Sequence, residues 1–161
     1  MRVYLPVTLP QLADLVAERT ITVDVGYAVT PGLTEWYAAG DTEELEWAAT
    51  VLAARASLRL LAADPDAPSR RAVLAVDLPE GEVERGPDEG HDRGLVRLRR
   101  SVPWTAIGAA LVDGPEAVDD VTAARAAWAA AEAGDEDAAF TVETAEGHDL
   151  LWFATQEIGY L

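Results

Sequence analysis

The chain has no cysteine, no lysine and no asparagine. Without cysteine there is no disulfide, no thiolate nucleophile and no Cys-type zinc site, which agrees with a reducing compartment. Without lysine there is no Schiff base and no lysine clamp on a phosphate. The three serines, Ser57, Ser69 and Ser101, fall inside an expected helix, in a linker and at a strand end, so a hydroxyl nucleophile has few places to stand. Long apolar runs are missing as well. No stretch approaches the roughly 18 apolar residues of a membrane span, and the opening MRVYLPVTLPQ turns extended and proline-marked too early for a secretory signal. A cytoplasmic protein is expected.

Positive charge is scarce. Twelve basic residues, all arginine, face 29 acids, for a net charge of −17. Such a field repels phosphates, so neither direct nucleic-acid binding nor an anionic membrane is expected as partner. Arginine in place of lysine, beside abundant alanine, reads as the codon bias of a GC-rich genome. The acidic shell suits a basic protein partner, but plain solubility of an alanine-rich chain is the stronger reading of it. With 161 residues, half of them apolar, the chain supports a single core, and one domain over residues 1–161 is expected.

Periodicity supplies the elements. RVYLPVT alternates as a strand, and LPQLADLVAER spaces Leu9, Leu12, Leu15 and Val16 on one helical stripe. TITVDVGYAVT alternates throughout and reads as one second strand. After Pro31-Gly32 a short helix runs through LTEWYAA. Asp41, with Glu44 three residues on, then opens a long helix to about Ala63 as a capping box. Two apolar stripes on that helix, one through Leu45 and Ala49 and one through Trp47 and Val51, mark it as a central core helix.

AVLAVDLP reads as an interior strand and residues 80–94 as a mobile acidic loop, followed by the strands LVRLRRSV and AALVD with PWTAIG as a short turn between them. A helix follows from Gly114-Pro115 to Gly134. AAFTVET is expected as a last short strand and DLLWFATQEI as a closing helix. The sum is an α+β (or α/β) domain: a mixed sheet of about five or six strands against a long central helix and three or four further helices.

The tetrapeptide EGHD occurs twice, at 89–92 and 146–149, and holds both histidines, His91 and His148. A His-Asp metal hydrolase needs an aspartate well after the pair, and none follows Asp149. Asp119 and Asp120 are adjacent on one helix and point about 100° apart, and the acids 135–137 lie in a turn. No metal, no cofactor and no catalytic residue is therefore assigned. His91 falls in the acidic loop without a role. His148 and Asp149 are expected to open the last helix, with the His148 ring over Trp152; alternatively His148 edges a pocket and binds or moves a proton.

The one basic concentration is Arg93, Arg97, Arg99 and Arg100, with Arg97 and Arg99 on one strand face. That stripe either clamps an anion or an acidic surface of a second copy, or balances neighbouring acids at a sheet edge. Trp47, Trp104, Trp128 and Trp152 have apolar neighbours and are assigned to the core, while Trp36 and Tyr37 are expected to be partly exposed.

YLP near the start, YAVTPGLTEWYAAGDTEELEWAATVLAARASLRLLA in the middle and DLLWFATQE at the end resemble an uncharacterised single-domain protein family, a domain of unknown function, of high-GC Gram-positive bacteria. The resemblance implies a small bacterial cytosolic protein and carries over no catalytic residue. Three functional readings remain. The first is a noncatalytic acidic module acting through a protein partner or self-association. The second is a small-molecule sensor or enzyme whose Arg97, Arg99 and His148 share one pocket. The third is a mimic of nucleic acid. The tentative binding residues are Arg97, Arg99, His148, Trp152, Trp36 and Tyr37.

Overall fold

In the computed structural model, which describes residues 1–38 and 40–161, β1 (Arg2–Val7), β3 (Val25–Tyr27), β4 (Ala72–Asp77), β5 (Val83–Arg85), β6 (Leu95–Leu98), β8 (Ile107–Asp113) and β9 (Leu150–Ala154) form one sheet. Its spatial order is β5-β6-β3-β1-β4-β8-β9, and every neighbouring pair is antiparallel. A second, two-stranded sheet pairs β2 (Thr20–Ile21) with β7 (Val102–Pro103). The fold is therefore α+β, with a wider sheet than the sequence pattern suggests.

The sheet divides two apolar layers, because alternate residues of each strand point opposite ways. Val3, Leu5 and Val7 of β1, Leu74 and Val76 of β4, and Ala110 and Val112 of β8 pack with Leu12 and Leu15 of α1 (Leu9–Glu18) and with Ile158 of the closing helical turn Thr155–Tyr160. Tyr4, Tyr27, Val73, Ala75 and Ala109 face the other way, onto Ala48, Ala49, Ala53 and Ala56 of α3 (Thr42–Ala63). Alanine on that side of α3 lets the helix lie close to the sheet. Ser57, fully buried, links the layers: its hydroxyl donates to the Val7 carbonyl (2.8 Å) and accepts from the Ala72 amide (3.0 Å).

α3 begins as its capping box requires, with the Asp41 carboxylate taking the Glu44 amide at 2.9 Å. It ends against α4 (Val118–Glu132) and α5 (Glu136–Glu146), which close a third cluster around Leu58, Leu61, Val121, Trp128 and Val142. Carbonyls of its last turn and of the segment that follows are gathered by Arg125. The guanidinium donates to the carbonyls of Leu61 (2.7 Å), Ala67 and Asp64.

Several expectations fail for identifiable reasons. TITVDVGYAVT is not one strand. Arg19 adopts the left-handed conformation (φ 61°), β2 leaves for the small sheet with β7, and only β3 joins the main sheet. The burial period slips with it: Ile21 and Tyr27 end on opposite faces. AAFTVET is helical within α5, whose N-terminus is capped by Asp135 accepting from the Ala138 amide at 2.9 Å.

DLLWFATQEI is not a helix. Its first part is β9, since five apolar residues in a row carry no period that separates strand from helix. Residues 80–94 are in part regular, because β5 pairs with β6. Of the tryptophans assigned to the core, Trp128 is buried, Trp104 is half-buried, and Trp47 (59%) and Trp152 (64%) are exposed.

Candidate functional site

Two grooves flank the outer face of α3 and meet at Val51, which lines both. The larger, of about 640 Å³, is walled by Tyr27, Trp36, Tyr37, Arg55, Arg59, His91 and Arg93. The smaller, of about 290 Å³, holds Trp47, Arg71, Leu111, Glu146, His148 and Leu150. The two EGHD tetrapeptides thus border neighbouring grooves, one histidine in each.

The larger groove is built by one carboxylate. Asp88 (φ 56°) reaches back to the start of α2 (Pro31–Trp36). It accepts the Thr30 hydroxyl (2.5 Å) and the Gly32 amide (2.8 Å), and from its own loop the Gly94 amide (3.0 Å). The approach is so close that a β-carbon at Gly32 would lie 2.0 Å from the Asp88 carbonyl oxygen, which is why glycine stands there. Burial pushes the Asp88 carboxyl up, but the hydrogen bonds from Thr30, Gly94 and Gly32, with the nearby Arg85 charge, outweigh it and hold the group below its ordinary value.

This anchor sets the 90–93 turn beside α2. Arg93 then stacks on Trp36, 4.3 Å from the ring centre, and donates to the Gly90 carbonyl at 3.2 Å.

Another part of the lining comes from α3. Arg55 and Arg59, one turn apart, both lie over the buried Trp128 ring, at 5.4 and 5.8 Å. Arg55 is paired with Glu146 at 2.8 Å. Arg59 and Arg93 have no carboxylate within ion-pair distance among the described residues, although acids outnumber arginines more than two to one. Tyr27 sits on the floor. Burial raises its hydroxyl above the ordinary tyrosine value, the Arg59 charge draws it back, and Asp92 adds to the rise. It therefore stays protonated at neutral pH and offers a neutral donor.

The smaller groove rests on a buried ion pair. Arg71 and Asp113, 2% and 0% exposed, meet in two bonds of 2.8 and 2.7 Å, and Arg71 also donates to the His148 carbonyl (2.9 Å). His148 lies at the end of α5, not at the start of a helix, with its amide donating to the Ala145 carbonyl. Its ring does not cover Trp152; Nε2 is 2.7 Å from the Asp120 carboxylate on α4.

The pocket shared by Arg97, Arg99 and His148 does not form. β6, which carries Arg97, lies next to one edge of the sheet, whereas His148 precedes β9 at the other. Arg99 pairs with exposed Glu84 at 3.7 Å, and Glu84 is also the register partner of Arg97. Trp36 and Tyr37 do line a groove, and Trp152 stands on the same sheet face as Leu111, outside both grooves.

The residues that sequence reasoning passed over are Arg55, Arg59, Tyr27 and His91. A signal was present for the arginines: they are two charges at i, i+4 on a helix otherwise assigned to core. No three His, Asp or Glu side chains among the described residues come together as metal ligands, and no described helix is long and apolar enough to cross a membrane.

One family model matches, over residues 1–161, and its description is a family of unknown function, DUF6912. No curated protein and no solved structure matches.

Proposed function

We propose, for a chain that belongs to the family of unknown function DUF6912 and takes no activity from it, a noncatalytic binding domain whose ligand is a small organic anion with a flat ring. The observation that carries this is that Arg59 and Arg93, neither within ion-pair distance of a carboxylate among the described residues, line one groove together with Trp36, Tyr37 and Tyr27. Two guanidiniums supply planar, bidentate donors for a carboxylate or phosphate. The aromatic walls supply the apolar surface that a ring needs, and the volume is that of a small-molecule site.

The serines do not point to covalent catalysis. Ser57 is saturated by backbone, Ser69 accepts from Arg125 (3.1 Å), and Ser101 is bonded to Thr22 (2.7 Å). None stands beside a histidine as a nucleophile would.

Titration with a panel of aryl carboxylates and aryl phosphates, read by tryptophan fluorescence, tests this reading. At least one member should saturate the signal, and the change should be lost in Trp36→Phe. Arg59→Gln should weaken binding about tenfold, the scale of one charge-assisted hydrogen bond. A panel without any saturable member, or an affinity untouched by both Arg59→Gln and Arg93→Gln, contradicts the reading. Turnover of a bound member contradicts its noncatalytic part.

A second reading, a protein ligand that inserts an acidic side chain into the same groove, is favoured by exposed Trp47 and Val51 on the adjoining ridge of α3. It predicts that free small anions bind weakly while sharing the Arg59 and Arg93 dependence.

A further inference from the structure

The two edges of the main sheet are treated differently. At one edge, β5 has only three residues, two of them the exposed charges Glu84 and Arg85, and Gly86-Pro87 follows at once. Short length, charge and a nearby proline are the usual guards of an edge strand.

The other edge, β9, has none of these. Its five residues, Leu-Leu-Trp-Phe-Ala, carry no charge, and among the described residues it pairs on one side only, with β8. Leu151 is 44% exposed and Trp152 64%. In a chain where a quarter of the residues are charged, an unguarded apolar edge is the exception.

From this asymmetry we infer that β9 is a self-association edge, on which a second copy of this chain adds its own β9 antiparallel across a twofold axis near Trp152. The occupant follows from charge and register. Two copies of net charge −17 repel each other, so a symmetric contact needs a strip without acids, and β9 is such a strip.

Centring the axis on Trp152 sets Leu151 opposite the partner subunit's Phe153 and Leu150 opposite the partner subunit's Ala154. The five paired residues carry no charge, so no like charges face each other within the pairing. On one face of the joined sheet the two Trp152 rings become a cross-strand pair, beside Leu111. On the other face, Leu151 and Phe153 extend the layer of Val112 and Ala110.

The Ala154 amide already donates to the Glu157 carboxylate at 3.1 Å, and that contact marks where the pairable edge stops. The groove of Arg59 and Arg93 involves β3 and the 90–93 turn, toward the opposite edge, and is left open by this pairing.

A five-residue pairing falls at the low end of specific interfaces, below about 1,200 Å² in total, so the dimer is reversible. Sedimentation of the full chain from about 1 µM to about 1 mM should show monomer passing to dimer. Amide exchange over Leu150–Ala154 should slow as concentration rises. Leu151→Lys and Trp152→Lys, both at exposed positions that leave the fold intact, should each weaken dimerisation at least about tenfold.

A chain that stays monomeric over the whole range overturns the inference, including the case in which another protein's strand takes the edge. So does a dimer that both lysine variants leave unchanged, or one without exchange protection in β9.

Discussion

At the scale of single residues, Asp88 organises the groove although it is not among the residues that line it. It joins the first turn of α2 to the loop that carries His91 and Arg93, through three donors. Asp88→Asn removes its charge and part of its accepting capacity. The loss should be about 1–2 kcal/mol in denaturant unfolding at neutral pH, the scale of a lost helix cap, with the Arg93 stack on Trp36 loosened.

The pH dependence follows from the direction of the shift. The folded-state value of Asp88 lies below its unfolded one, so its contribution is complete above the unfolded value. It is lost as pH falls through the folded value. The gap between wild type and Asp88→Asn should therefore be widest near neutrality and narrow below about pH 4. A gap that widens on acidification would mean that the carboxylate is not held by these donors.

At the scale of elements, α3 was legible almost residue by residue, because Asp41 and Glu44 announce its start and its apolar content sets its place. Its outward side was not. Trp47 and Val51 fit an apolar stripe equally well whether a partner layer covers them or not, and the sheet covers only the alanine side. The end of α3 shows the same limit from the other direction. Arg125, distant in sequence, collects its carbonyls, and only the packing of α4 on α3 brings it there.

Arg125→Met keeps the aliphatic stem but strands those carbonyls, and should lower stability by about 2–3 kcal/mol in chemical denaturation. A change below about 0.5 kcal/mol, the range of ordinary surface substitutions, would show that water replaces the guanidinium freely.

The exchange of strand and helix at α5 and β9 has a plain cause. Phe140, Val142 and two threonines gave α5 the composition of a strand, while the cap at Asp135 and its acidic first turn carried the better information. For β9, nothing local distinguishes the two, and the decision comes from the open edge of β8.

The site was half legible. Trp36 and Tyr37 could be picked out because they follow a proline-glycine pair, which in the fold opens α2. Arg59 and Tyr27 meet only when α3 is laid across β3, which no local pattern encodes.

At the scale of the whole molecule, the dominant quantity is charge. Seventeen net negative charges on 161 residues oppose compaction. Raising salt from roughly 0.01 M to roughly 0.15 M shortens the screening length from about 30 Å to about 8 Å. The melting temperature should rise over that interval, and a fall would mean that local ion pairs such as Arg55–Glu146 outweigh the global repulsion. The same salt should weaken ligand binding in the groove, because it screens the attraction of Arg59 and Arg93 for an anion. Stability and affinity thus move in opposite directions, a signature that a neutral ligand would not give.

The most direct measurement is a calorimetric titration of phenyl phosphate into the wild-type chain, Arg59→Gln, and the double variant Arg97→Gln/Arg99→Gln. The groove account predicts saturable binding at one site per chain, weakened about tenfold by Arg59→Gln and unchanged in the double variant. Binding that survives Arg59→Gln intact but is lost with Arg97 and Arg99 would place the anion on β6 and the bend after it, and contradict it.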